Sequence, residues 1–196
     1  DINARASRIS YVGELGWELY VPSEFALSAF DTIVEAGKAF GLKMAGYHAL
    51  NSLRLEKAYR HWGHDIADCD TPYEAGLGFA VDLEKEDFIG KAALTAVKNE
   101  LRKRRLVNFL MDDAEPLLYH NELVWCDESI VGYISSGMIG HALGRSVGMG
   151  YLTNERGVSA EWLSNHSFEI EVAGVRYPAR ASLKPFYDPN NERMRM

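Results

Sequence analysis

The chain changes texture near Arg104, and that change constrains the fold more than any other feature. Beyond it, short strand-like runs follow one another: residues 106–111, 122–126, 131–135, 146–152, 168–172 and 175–181. Gly, Asn, Asp and Pro punctuate them. Successive short runs with turn signals and little helical periodicity predict a small antiparallel barrel or sandwich. Before the change the pattern is mixed. Ser23 is a fair N-cap with Glu24 in the first turn. Phe25, Ala29, Phe30, Ile33, Val34 and Phe40 then recur at helical spacing up to Gly41, which is placed to end the helix. A second helix is expected from Tyr47 to Arg60, a short turn and strand over Tyr73–Val81, and a third helix from Phe88 to about Lys103. The reading is α+β, in two units: residues 1–104 and residues 105–196.

Residues 7–22 alternate polar and apolar side chains into and out of Gly13-Glu14-Leu15-Gly16, a hairpin signature. With a four-residue loop, Val12 pairs with Trp17 and Tyr11 lies opposite Glu18. Cross-strand partners share a face with Cβ atoms ~5 Å apart. A phenol and a carboxylate side by side on rigid strands form a device for reading a flat heterocycle rich in donors. Against this stands the ordinary content of any hairpin, since Tyr is a common strand residue and an exposed Glu is unremarkable.

The net charge of −7 disfavours nucleic-acid and anionic-membrane partners, both of which need a basic surface. Arg102-Lys-Arg-Arg105 reads as a solvated helix terminus complementing the dipole. No apolar run approaches the ~20 residues of a membrane span. Cys69 and Cys126 are far apart and form no CxxC, so a reducing, cytoplasmic compartment is the default. The chain starts at Asp1 directly before a strand-like stretch, which suggests a piece of a longer protein.

Three constellations invite chemistry. The segment His61–Asp70 holds two His, three Asp and a Cys, but HxxH matches no usual zinc spacing, and Asp and His after a helix are ordinary turn formers. Ser135-Ser-Gly137 near His141 lacks the Gly-x-Ser-x-Gly elbow of a hydrolase. Neither a phosphate-cradling GxxxxGK[ST] loop nor a GxGxxG fingerprint is present. Most of the tryptophans are expected in core or inter-unit packing.

Six segments in order carry a resemblance. They are Tyr11–Pro22, Leu50-Asn-Ser-Leu-Arg-Leu-Glu-Lys57, Thr71-Pro-Tyr-Glu-Ala-Gly-Leu77, Phe88-Ile-Gly-Lys-Ala-Ala-Leu94, Val131-Gly-Tyr-Ile-Ser-Ser-Gly137 and Pro185-Phe-Tyr-Asp-Pro189. Together they resemble the later two-thirds of the glycine-cleavage T-protein (aminomethyltransferase) family. Within it, Gly46–Gly63 is most similar to the variant fused behind flavin domains, as in dimethylglycine and sarcosine dehydrogenases. Leu50 and Asn51 replace the first Arg and the Asp of the Ala-Arg-Asp-Ser-Leu-Arg-Leu-Glu pattern of the simple enzymes. That Arg contacts folate there, so its contact is unfilled here.

The resemblance implies a ferredoxin-like antiparallel sheet with helices, followed by a small antiparallel β-barrel. It implies a tetrahydrofolate site in which Tyr11 and Glu18 contact the pterin. It implies transfer of a one-carbon unit from an N-methylated amine to tetrahydrofolate, giving 5,10-methylenetetrahydrofolate, with FAD on an upstream domain of the same polypeptide. The family's acidic catalytic residue belongs to the earlier third of its domain, so no catalytic residue is assigned here, and the segment alone is expected to be inactive. Two alternatives stand beside this reading: a T-protein-like aminomethyltransferase or methyl-donor demethylase, and a non-catalytic folate-binding or structural module. A homo-oligomer of the segment would be unsurprising.

Overall fold

The computed structural model describes residues 2–195. The first unit contains a two-stranded antiparallel sheet, β1 (Arg5–Ser7) and β2 (Glu18–Tyr20), and three helices: α1 (Ala26–Gly37), α2 (Tyr47–Glu56) and α3 (Lys91–Val97). The second is a closed antiparallel barrel. Its strands are β3 (Arg104–Met111), β4 (Leu123–Cys126), β5 (Ser129–Gly140), β6 (Arg145–Thr153), β7 (Phe168–Val172) and β8 (Val175–Ser182), in the order β3-β6-β5-β4-β7-β8. A short helix α4 (Ala160–Asn165) precedes β7, with Ser159 as a side-chain N-cap accepting from the Trp162 amide. The class is α+β, as the sequence predicts. No helix among the described residues is long and apolar enough to cross a membrane.

The barrel closes because alternate residues of each strand fill its interior. Val107, Phe109 and Met111 of β3 point inward with Val124, Ile134, Leu152 and Ile170, all fully buried. Leu106 and Leu110 point outward, yet they too are buried, beneath α2 together with Leu55, Ala58, Val147 and Met149. Burial on both faces explains why β3 reads as a near-continuous apolar run rather than a clean alternation. Gly137 on β5 lies where Leu118 and Tyr119 cross the strand. A Cβ there would stand 2.6 Å from the Leu118 carbonyl carbon and 2.7 Å from the Tyr119 nitrogen, so only glycine fits.

Four local expectations are corrected, and the first is the second helix, which ends at Glu56 rather than Arg60. Residues 73–81 form turns and a 3-10 helix (Gly78–Ala80) rather than a strand. The third helix is confined to Lys91–Val97, its carbonyl ends bound by the Arg102 guanidinium, which reaches the carbonyls of Val97, Lys98 and Glu100. The hairpin register also differs. Ser7, not Tyr11, stands opposite Glu18, and residues 8–17 form a long loop between β1 and β2.

Candidate functional site

Helix α2 joins the two units, and its motif residues do the joining. Ser52 donates to the Ile139 carbonyl on β5 at 2.5 Å. Glu56 accepts the backbone N–H groups of Ala142 and Leu143 at 2.8 and 3.0 Å, satisfying the loop between β5 and β6. Arg54 is buried. It donates to Asp65 at 2.5 Å, to the Ser136 hydroxyl at 2.9 Å, to Asn51 at 3.1 Å and to the Tyr59 carbonyl at 3.1 Å. Asp65 is equally buried and also accepts the Ser135 hydroxyl at 2.6 Å and the His61 amide at 2.9 Å. Each charge is thus compensated in full, as a buried pair requires.

Residues of two of the constellations take part in this network. Ser135 and Ser136 serve Asp65 and Arg54, and no histidine bonds either hydroxyl. In the His61–Asp70 segment, Asp65 is held by Arg54, and Asp70 accepts from the Ala67 amide and Arg104 at 2.8 and 2.7 Å. Among the described residues, no group of three or more His, Cys, Asp or Glu could hold a metal ion.

Above the network lies a cleft of about 270 Å³ between α2 and the barrel wall. It is lined by Tyr47, His48 and Asn51 of α2, by His61 and His64 of the loop that follows, and by Tyr119, His120 and Met138 from the barrel side of the sequence. The rings of His61 and His64 meet edge to face at 4.6 Å. His61 Nδ1 is buried without a partner, while its Nε2 lies 3.4 Å from the Tyr47 hydroxyl. The lining offers imidazoles, phenols, serine hydroxyls, the Asn51 amide and the Arg54 guanidinium but no carboxylate.

Neither Tyr11 nor Glu18 lines this cleft. The Tyr11 hydroxyl donates to the Arg60 carbonyl at 3.0 Å and its ring stacks on Tyr59 at 6.5 Å. Burial pushes its pKa above the ordinary phenol value, against the pull of the Arg54 charge. Glu18 is a partly exposed strand residue whose carboxylate accepts the Tyr20 hydroxyl at 2.9 Å. The two are therefore held by different devices, Tyr11 by the segment after α2 and Glu18 by its own strand. Asn51, which replaces the family Asp, lines the cleft, and Leu50 beside it is partly buried on α2. Trp125 and Trp162 pack on Arg176 and Phe168, whereas Trp17 and Trp62 are exposed, contrary to expectation for the latter two.

His48, His120 and the role of Arg54 were not read from the sequence, and His61 and His64 stood out only as turn formers of the His61–Asp70 segment. A signal existed in the helical spacing that puts Tyr47, Asn51 and Arg54 on one face of α2. Nothing local shows that this face meets Ser136.

Comparison with known proteins agrees with this architecture. The sequence model of the "GCVT N-terminal domain" matches residues 1–85, and that of the "Glycine cleavage T-protein C-terminal barrel domain" matches residues 104–188. The chain is 44% identical to 4-methylaminobutanoate oxidase (formaldehyde-forming) of Paenarthrobacter nicotinovorans, over 98% of this chain and 23% of that protein. It is 38% identical to mitochondrial sarcosine dehydrogenase of Homo sapiens, over 97% of this chain and 21% of that protein. The fold superposes on the glycine cleavage system aminomethyltransferase T of Bartonella henselae with a TM-score of 0.80 at 24% identity, over 94% of this chain and 50% of that one. The chain thus spans less than a quarter of the two oxidising relatives and half of the solved structure. With both of its units matched in family order on the family's fold, the chain belongs to the glycine-cleavage T-protein family.

Proposed function

We propose that this chain is the tetrahydrofolate-binding portion of a flavin-dependent enzyme. In this reading the whole enzyme oxidises an N-methyl amine and transfers the one-carbon unit to tetrahydrofolate, giving 5,10-methylenetetrahydrofolate. The observation that carries the reading is coverage: nearly the whole chain aligns with a part amounting to 23% and 21% of two relatives named for oxidising N-methyl amines. A capture site on the same polypeptide meets the released one-carbon unit at high effective concentration. The division near Arg104, FAD on an upstream domain and a cytoplasmic setting, consistent with the two free thiols, belong to the same proposal.

In this reading the pterin lies against Glu18 and Tyr11. Glu18 presents a carboxylate able to accept two parallel N–H bonds from a ring nitrogen and an exocyclic amine, a charge-assisted contact with strict geometry. The Tyr11 proton is already committed to the Arg60 carbonyl. It therefore offers its ring face and an oxygen lone pair, and orients by packing. Tetrahydrofolate, when bound, supplies the nitrogens that receive the one-carbon unit. The proton-handling acid is expected upstream of these residues.

The test is turnover in the full-length protein. With an N-methyl amine such as sarcosine, dimethylglycine or 4-methylaminobutanoate and tetrahydrofolate, bleaching of the flavin band should accompany formation of 5,10-methylenetetrahydrofolate. A full-length protein with no flavin band and no transfer from any of these amines contradicts the proposal.

A further inference from the structure

Beyond β8 the chain does not simply end. It turns at Asp188, in the left-handed region at φ 43°, and returns across the loop 8–17. The barrel match stops at residue 188, so the returning segment lies outside it. Three contacts fasten it to the rest of the chain, and a fourth shapes it from within. Asp188 pairs with Lys57 just past α2, and the Lys57 side chain is only 1% exposed. The same carboxylate caps the turn that follows, accepting the amides of Glu192 at 2.8 Å and Arg193 at 3.2 Å. Arg193 Nε lies 2.8 and 2.7 Å from the two carboxylate oxygens of Glu14. The Tyr59 hydroxyl reaches Met194 Sδ at 2.8 Å.

Every one of these partners touches the surroundings of Tyr11. Glu14 lies in the same loop, and Tyr59 is the ring on which Tyr11 stacks. Gly13, at φ 71°, rests on the Lys57 stem so closely that any Cβ there would overlap it. The loop has no ladder partner of its own across residues 8–17. Its shape comes from the segment after α2 on one side and from the returning tail on the other.

We infer that residues 188–194 are a positioning element for the loop 8–17, with Arg193 and Asp188 acting through Glu14 and Lys57 to hold Tyr11 in place for the ligand. The inference rests on the folate reading for the identity of that ligand, though not for the restraint itself.

The experiment compares Arg193→Gln, Asp188→Asn and the swap Glu14→Arg with Arg193→Glu in the full-length protein. Hydrogen exchange of the peptide covering the loop, the dissociation constant of folinic acid and the thermal midpoint are read for each. Arg193→Gln is the gentle variant, since a half-exposed pair is modest in strength. It should raise loop exchange and weaken folinic acid about 2- to 5-fold, the range expected for such a pair, with barrel exchange unchanged and partial restoration in the swap. Asp188→Asn should do more, because it leaves Lys57 buried without its partner. A purely structural tail would lower the thermal midpoint and raise exchange throughout, with no recovery in the swap, and that result overturns the inference. So does unchanged loop exchange in both single variants, or faster loop exchange with wild-type affinity. If the loop loosens as expected but even the parent protein ignores folinic acid, the restraint stands and the folate reading falls.

Discussion

Arg54 and Asp65 decide how the site is built, because each is buried and each depends on the other. Arg54→Ala should cost about 3–5 kcal/mol in urea unfolding, since it strands the Asp65 charge beneath α2. Replacing both by Met and Asn should recover a large part of that loss, and an equal loss in single and double variants would mean that the ion pair is not the cause. The two cysteines make a second contrast. Cys69 is exposed, while Cys126 faces the barrel core and burial, aided by the nearby Asp127 charge, pushes its thiol up to about 11. At pH 8 only Cys69 should react quickly with a thiol reagent, as the thiolate is the reactive form. Two fast thiols in the folded chain would contradict the burial of Cys126. At this scale the sequence showed which residues belong to the motif, but not what they touch. Ser52, Arg54 and Glu56 read as motif letters. Their partners Ile139, Ser136 and Ala142 lie far along the chain, and no local pattern encodes that distance.

At the scale of elements, α2 stands on the barrel through Glu56 and the apolar face of Leu55 and Ala58. Glu56→Ala removes the acceptor for two loop amides and should destabilise by about 1–3 kcal/mol, measured by chemical denaturation. A shift below a few tenths would show that water replaces the carboxylate. Strand runs were legible because turn residues separate short runs of strand-forming side chains: residues 168–172 were read with the bounds that β7 has. The hairpin was not, for a physical reason. The alternation through residues 7–17 promised a ladder, but Tyr11 bonds to Arg60, Glu14 to Arg193, and Gly13 leans on Lys57. Long-range contacts outweigh the weak preference of three-residue strands for continued pairing.

At the scale of the molecule, stability is uneven. The barrel owns a closed core, whereas α1 has no buried residue and leaves Leu27 and Phe30 at 73% and 51% exposure. In this chain on its own, α1 amides should exchange at least about 100-fold faster than those of Phe109 and Ile134. Equal protection would mean that the first unit is as stable as the barrel. The tail contributes a pH signature. Asp188 is held below its ordinary value of 3.8, chiefly by the bond from Lys57. Its stabilisation is therefore present above the unfolded pKa and lost as pH falls through the lower folded one. Asp188→Asn should flatten the acid limb of the stability profile between about pH 5 and pH 2. A limb of unchanged steepness would assign acid sensitivity to other carboxylates.

The central claim is that the loop and strand carrying Tyr11 and Glu18 hold a reduced pterin. A tryptophan-fluorescence titration of the full-length protein with folinic acid tests it directly, because Trp17 is exposed beside Glu18. Glu18→Gln keeps the shape and removes the charge, and should weaken binding by roughly 1–3 kcal/mol while leaving the thermal midpoint in place. Saturable binding that weakens by that amount places the pterin on Glu18. The same dissociation constant in both proteins would contradict the account.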